Sequence, residues 1–261
     1  MLKVNPKNFL TKILQKKQIE IDNLYQEFGL SYFIEKSKKI KNNFSFAKAL
    51  NNNKLNLIAE VKKASPSKGI IRKEFDYLEI AKSFEKMGAS AISVLTEKDY
   101  FLGSIDYLSE IKKVVSIPIL RKDFIFDPIQ VYEAKAYGAD AILLIKAVLS
   151  KEKAQELLDL TSELDLDTVM EIHSEQELSE LKDLKNLKII GINNRDLNTF
   201  KVNTNTALSL NKKITEIFGD KILIVAESGY QNQKDLAVLK DNNFNAVLIG
   251  EGLVNNPMLS I

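Results

Sequence analysis

From residue 55 onward the chain repeats one event: a short run rich in Ile, Val and Leu, then a more polar segment of helical period. The runs are LNLIAEV, ASAISVL, SIPILR, DAILLI, DTVMEI, LKIIGI, KILIVA and NAVLIG, eight in all. Between them lie amphipathic segments such as YLEIAKSFEKMG, SIDYLSEIKKVV, PIQVYEAKAYGA and KEKAQELLDLTSEL. Strands that alternate with helices are parallel and joined by crossovers, and eight such units can close into a (β/α)8 TIM barrel, an α/β fold. The helix ends agree with this. Asp127-Pro128 offers a cap and a first-turn proline, while Gly88 and Gly138 each follow a helical run just before a strand. A doubly wound open sheet is the competing fold. It usually announces itself with a glycine-rich turn after the first strand, and Lys62 to Ser67 contains no glycine.

At 261 residues and 45% hydrophobic content, the chain matches the length of one barrel better than that of two ordinary domains, so residues 1–261 read as a single domain. Residues 1–50 precede the repeat and form an N-terminal helical extension. They read as a long helix from about Lys7 to Phe28, a polar connector, and a short helix near Phe44 to Leu50. Phe9, Ile13, Leu14, Ile21, Leu24 and Phe28 make a stripe of roughly helical period, which predicts that the long helix packs on the barrel. The Lys-rich IEKSKKIKNN reads as solvated connector.

Lys and Arg number 37 against 35 acidic residues, a balance that gives no reason to expect nucleic acid or an anionic membrane as a partner. With no cysteine and a single histidine, disulfides, thiolate chemistry and multi-histidine metal sites are excluded. No window reaches the roughly 18 apolar residues of a membrane span, and the N-terminus has no secretory h-region. These features predict a soluble, cytoplasmic protein without a metal site, and the expected state is a monomer or weak homo-oligomer.

Reacting groups of such barrels sit at the C-terminal ends of the strands and in the loops that follow. The first strand supplies Glu60 and Lys62 on one face, with Ser65 in the loop, and the second gives Thr96 and a loop carrying Phe101. The third ends in Lys122, the fifth in Glu171, the sixth in Asn193 and Arg195, and the seventh in Glu227. A lone Glu60–Lys62 ion pair would not explain the charged or amide residues at the ends of the other strands. Burying so many ionisable groups is costly unless they are paired or used. His173, just past Glu171 where the next helix begins, reads as a loop or capping residue. ESG after the seventh strand and GEG after the eighth place Ser228, Gly229, Gly250 and the amide of Glu251 where such barrels hold phosphate, the plain alternative being tight turns.

IAEVKKASPS resembles the signature of the indole-3-glycerol phosphate synthase family, and SVLTEKDYFLGS, ILRKDF, GINNRDL, VAESG and the helical extension resemble it in the same order. The resemblance covers nearly the whole chain. It implies ring closure of 1-(2-carboxyphenylamino)-1-deoxyribulose 5-phosphate, with loss of carbon dioxide and water, and no cofactor or metal. It further implies Lys122 as general acid on the carbonyl oxygen, Glu171 as acid/base group, and Glu60 and Lys62 acting together on the carboxylate and the dehydration. Asn193, Arg195, Glu227 and Ser65 complete the polar shell, with Phe101 and Phe124 flanking the aromatic ring.

Two features depart from the family's pattern. Glu251 occupies a phosphate-loop position where some relatives have serine, so its carboxylate must turn away from the phosphate. The terminal NNPMLSI leaves little or no final outer helix. Two other readings remain open on the residues alone: a Schiff-base lyase or aldolase with Lys122 as nucleophile, and a non-catalytic phosphometabolite-binding barrel.

Overall fold

The computed structural model describes residues 9–41, 44–197, 199–256 and 259. The eight apolar runs form eight parallel strands: β1 (Asn56–Val61), β2 (Ala91–Leu95), β3 (Ile119–Lys122), β4 (Ala141–Ile145), β5 (Asp167–Ile172), β6 (Ile189–Asn193), β7 (Leu223–Glu227) and β8 (Ala246–Ile249). Each pairs with the next along the chain, and β8 returns to β1 with Ala246 opposite Asn56. The barrel is therefore closed, as the repeat predicts, and leaves no edge among these strands unpaired. Nearly every strand residue is buried, because one face meets the barrel interior and the other the surrounding helices.

The helices end where turn chemistry dictates. Asp127 caps α6 (Pro128–Ala136) in a capping box with Gln130, and the proline takes the first turn, where its missing N–H costs nothing. Gly88 and Gly138, at φ 87° and 85°, terminate α4 (Tyr77–Lys86) and α6 in the left-handed conformation that a glycine adopts without penalty.

The extension departs from expectation in two places. Helix α1 (Phe9–Glu27) buries Leu10, Ile13, Leu14 and Ile21, each worth about 1.5–3 kcal/mol of transfer free energy. Phe28 does not continue this stripe: it lies past the helix end, 42% exposed, stacked on Tyr32. The expected start at Lys7 is outside the described residues. The supposed connector is largely helix α2 (Leu30–Lys38), followed by α3 (Phe46–Leu50). Its lysines occupy the solvated side while Phe33 and Ser37 are buried, and Lys36 Nζ sits 3.9 Å over the Tyr137 ring just beyond α6.

A second surprise follows β1, where Ala64–Ser65 and Gly69–Ile70 pair as a small antiparallel hairpin at the barrel mouth. After β8 the described residues hold one short helix, α11 (Glu251–Asn255), and Pro257, Met258, Ser260 and Ile261 lie outside them. Among the described residues, no helix is long and apolar enough to cross a membrane.

Candidate active site

The C-terminal ends of the strands open into a cavity of about 510 Å³. Its wall contains the residues assigned to the site from the sequence: Glu60, Lys62, Ser65, Phe101, Lys122, Phe124, Glu171, Asn193, Arg195, Glu227, Ser228, Gly229, Gly250 and Glu251. Thr96 is the exception among the strand-end positions. Its hydroxyl donates to Asp123 at 2.6 Å and accepts from Arg121 Nε at 3.2 Å, behind the barrel wall, because it follows the last inward residue of β2, Leu95.

Lys122 ends β3 with its ammonium 3.1 Å from Glu171 Oε2 and 2.9 Å from Glu227 Oε2. Burial penalises this charge, but Glu171, Glu227 and Glu60 more than compensate, so Lys122 is held above its ordinary pKa and stays an ammonium. Two carboxylates on one cation do not titrate alike. For Glu171, burial is outweighed by Lys122 and His173, and it stays ionised well below the usual range. For Glu227, burial dominates over the attraction of Lys122 and the neighbouring Glu171 charge adds to it, so its pKa rises. Glu227 Oε1 has no hydrogen-bond partner among the described residues, and it lies where a side chain on Gly191 would stand. Glu60 and Lys62 form the second ion pair of the wall.

His173 does more than end a loop. Its Nε2 lies 3.3 Å from Glu171 Oε1, on the opposite carboxylate oxygen from Lys122, and its Nδ1 lies 3.5 Å from Glu177 Oε2 on α8 (Glu175–Ser179). Burial pushes the imidazole down, but the two carboxylates prevail and push it up to about 10. The His173 backbone N–H also donates to Glu177 Oε2 at 2.8 Å. The i,i+4 spacing of His173 and Glu177 at a helix start was the available sign.

The loops are fixed by side chains that bond to their backbone. Asn194, the unremarked second asparagine of GINNRDL, donates to the Ser228 carbonyl and the Tyr230 hydroxyl, each at 2.9 Å, and accepts from Ala207 N at 3.0 Å. It thereby braces the Ser228-Gly229 turn, where both residues have positive φ, 67° and 95°. Glu97 accepts from the amides of Asp99, Tyr100 and Phe101 at 2.8 to 3.0 Å, which sets the loop that presents Phe101. Phe101 and Phe124 face each other with ring centroids 6.5 Å apart. From α1, Phe9, Leu10 and Ile13 close the apolar side of the cavity.

At the loop after β8, the structure adds a reason for glycine. A side chain on Gly250 would run into the Glu60 carboxylate and come within 3.1 Å of Lys62 Nζ, so the ion pair as placed leaves no room for one. The Glu251 carboxylate turns to Lys68 of the β1 hairpin and pairs with it. Lys68 was not anticipated, since its partner lies at the far end of the chain.

The sequence profile of the family described as Indole-3-glycerol phosphate synthase matches residues 10–260. A protein named indole-3-glycerol phosphate synthase from Endomicrobium trichonymphae is 47% identical over 92% of this chain and 92% of its own length. Another of that name, from Ruminiclostridium cellulolyticum, is 42% identical over 95% of this chain and 94% of its own length. Among solved structures, the tryptophan synthase A-subunit of Pyrococcus furiosus aligns with TM-score 0.57 and 17% identity, covering 78% of this chain and 89% of that one, a likeness of fold alone.

Proposed function

The chain belongs to the indole-3-glycerol phosphate synthase family, and from that membership we propose that it closes the indole ring of 1-(2-carboxyphenylamino)-1-deoxyribulose 5-phosphate in tryptophan biosynthesis, as a carboxy-lyase. The ring carbon that bears the carboxylate attacks the ketone carbon, and the ketone oxygen takes a proton. Carbon dioxide then leaves, returning its electron pair to the ring. The new hydroxyl takes a second proton and departs as water, while the adjacent CH₂ loses one proton. Two protons enter and one leaves, so each turnover consumes a proton.

The observation that carries this assignment is Lys122 held as an ammonium between Glu171 and Glu227 in the cavity wall. An ammonium can protonate the ketone oxygen but cannot attack it, which disfavours the Schiff-base lyase. Glu171, ionised and beside Lys122, is suited to take the CH₂ proton and to return protons to Lys122. Lys62, partnered by Glu60, is suited to hold the substrate carboxylate and to supply the proton for dehydration. The positive charge that builds next to the ring nitrogen would find compensation in these carboxylates. Phe101, Phe124 and the α1 side chains offer the aniline ring an apolar bed that excludes water. Ser65, Asn193 and Arg195 would complete the polar contacts, and the amides after β7 and β8 would hold the phosphate. The same proposal takes the enzyme to be cytoplasmic, with a small phosphorylated substrate and no need of a partner.

The test is direct. The carboxyphenylamino substrate is supplied in the presence of a strong chelator, and indole fluorescence is followed. Fluorescence should appear at the full rate. No product, or activity that requires an added divalent ion, would defeat the assignment.

A further inference from the structure

Asn194 follows β6, is buried, and has each of its polar groups engaged. Its backbone N–H donates to the Glu227 carbonyl, and its carbonyl accepts from Asn203 N to close the loop that carries Arg195, both at 3.0 Å. Its Oδ1 accepts from Ala207 N at 3.0 Å, at the third residue of α9 (Asn205–Phe218), where an amide has no partner within the helix. That leaves Nδ2 for the loop after β7, where it donates to the Ser228 carbonyl and the Tyr230 hydroxyl, each at 2.9 Å. The neighbours admit only this orientation of the side-chain amide, because Ala207 N can only donate and the Ser228 carbonyl can only accept.

We propose that Asn194 is a positioning residue for the substrate phosphate, which aims the Gly229 N–H into the cavity by holding the carbonyl of the same peptide bond from the other side. This rests on the phosphate site proposed above, at the amides after β7 and β8. A trans peptide is planar, with its C=O and N–H pointing in opposite directions, so a grip on the Ser228 oxygen sets the direction of the Gly229 N–H. The cavity wall includes Ser228 and Gly229 but not Asn194, so the grip comes from behind and the N–H faces in. Among the described residues that N–H has no acceptor. The grip is also needed. Ser228 is held at φ 67°, a left-handed conformation that a serine keeps only where its surroundings impose it.

The same side chain reaches both halves of the phosphate site. Tyr230, whose hydroxyl it holds, packs its carbonyl so closely on the loop after β8 that a side chain on Gly252 would come within 2.5 Å of that oxygen. On the other flank, a side chain on Gly229 would come within 2.7 Å of Val202 and 3.1 Å of Thr204, from the loop that Asn194 begins. The loop carrying Arg195, the Ser228-Gly229 turn and, through Tyr230, the loop after β8 therefore meet at one buried amide side chain.

Inorganic phosphate is the probe, because it tests the site without the chemistry. In the wild-type protein, titration with phosphate should shift the Gly229 amide resonance. Asn194→Asp keeps an acceptor for Ala207 N but sets a carboxylate oxygen against the Ser228 carbonyl, and Asn194→Ala removes the grip altogether. In both, phosphate affinity should fall and KM should rise on the order of tenfold, with turnover changed much less, because the phosphate is bound alike in ground and transition states. The substrate lacking its phosphate, 1-(2-carboxyphenylamino)-1-deoxyribulose, supplies the contrast. Measured as a competing ligand, it should bind the wild-type protein and both variants alike, whereas a general loosening of the barrel mouth would weaken it too. Unchanged phosphate affinity in Asn194→Asp, or an equal loss for both ligands, would overturn the proposal. So would a wild-type Gly229 amide that ignores phosphate, a result that needs no variant to fold. Wild-type protein that binds phosphate at Gly229 yet forms no indole product would instead overturn the ring-closure assignment and leave the role of Asn194 standing.

Discussion

Arg121, Lys122 and Asp123 are consecutive at the end of β3, and alternation along the strand sends them to opposite sides of the barrel wall. Lys122 enters the cavity. Arg121 and Asp123 lie behind it, where Arg121 Nη2 sits 2.8 Å from Glu133 and 3.2 Å from Asp123, Nη1 donates to the Gln130 carbonyl at 2.8 Å, and Lys17 of α1 reaches Asp123 at 2.9 Å. Both clusters bury cations among carboxylates. In the outer one Asp123 has two cations and the Thr96 hydroxyl, and it is held far below the usual carboxylate range despite its burial. In the inner one Glu171 and Glu227 share Lys122; Glu171 also has His173 beside it, whereas burial pushes Glu227 up. A buried carboxylate with a second cation keeps one protonation state, and one without a second cation can take up a proton. The outer cluster holds the structure together, and the inner one is poised for chemistry.

Breaking the outer cluster should have the largest effect on stability. Arg121→Met leaves Glu133 buried without its cation and Asp123 with Lys17 alone, and the expected cost is about 3–5 kcal/mol, seen as a large drop in the urea midpoint. Lys17→Met should act similarly and should also raise KM, since Leu10 and Ile13 of the same helix line the cavity. An unchanged midpoint in both variants would erase the distinction between the clusters.

The inner cluster should show the reverse pattern. Lys122→Ala is expected to lower turnover by a factor on the order of 10² or more. Its midpoint should fall less than that of Arg121→Met, because Glu171 and Glu227 can share a proton once the lysine is gone. Lys122→Arg keeps the charge but loses transferable acidity, and it should be nearly as slow. A larger loss of stability than of turnover would place Lys122 with the structural group.

A smaller effect sharpens the comparison through pH. His173 is raised from 6.5 to about 10, so the folded chain holds a proton that the unfolded chain releases at lower pH. Its stabilisation is therefore complete below pH ~6.5 and is lost as pH rises through ~10. In His173→Gln the decline in urea midpoint over that window should flatten. Asp123 has the opposite sign: its depressed pKa stabilises the fold above the ordinary carboxylate range and is lost on acidification. Smallest of all is Phe28→Ser, outside both clusters and exposed, which should shift stability by no more than about 0.5 kcal/mol.

What could be read from the sequence follows the range over which each signal acts. The strands and the inward groups at their ends were legible because a period of two and a change from apolar to polar are local patterns. Helix α2 was not, because its lysines mask the two residues that anchor it, Phe33 and Ser37. Arg121 and Asp123 fall on the outward side of a strand end. Helix α6 was legible from Asp127-Pro128 onward, but Lys17, the other partner of Asp123, lies far back in the chain and nothing near residue 121 announces it. Lys68 with Glu251, and Asn194 with Ser228, are likewise partners across long stretches of chain. His173 was different, since its partners Glu171 and Glu177 stand close by in sequence.

The Lys17–Asp123 pair also says something about how the chain is made. Helix α1 leaves the ribosome before the barrel strands, yet the carboxylate that anchors it emerges about a hundred residues later, roughly 5–20 s at ~5–20 residues per second. Throughout that interval Leu10, Ile13, Leu14 and Ile21 have no barrel to cover them, and a short helix alone is only marginally stable in water. The helix is thus made before the barrel it covers and can dock only after it, and in the meantime the nascent chain presents an apolar stripe to whatever chaperone attends it.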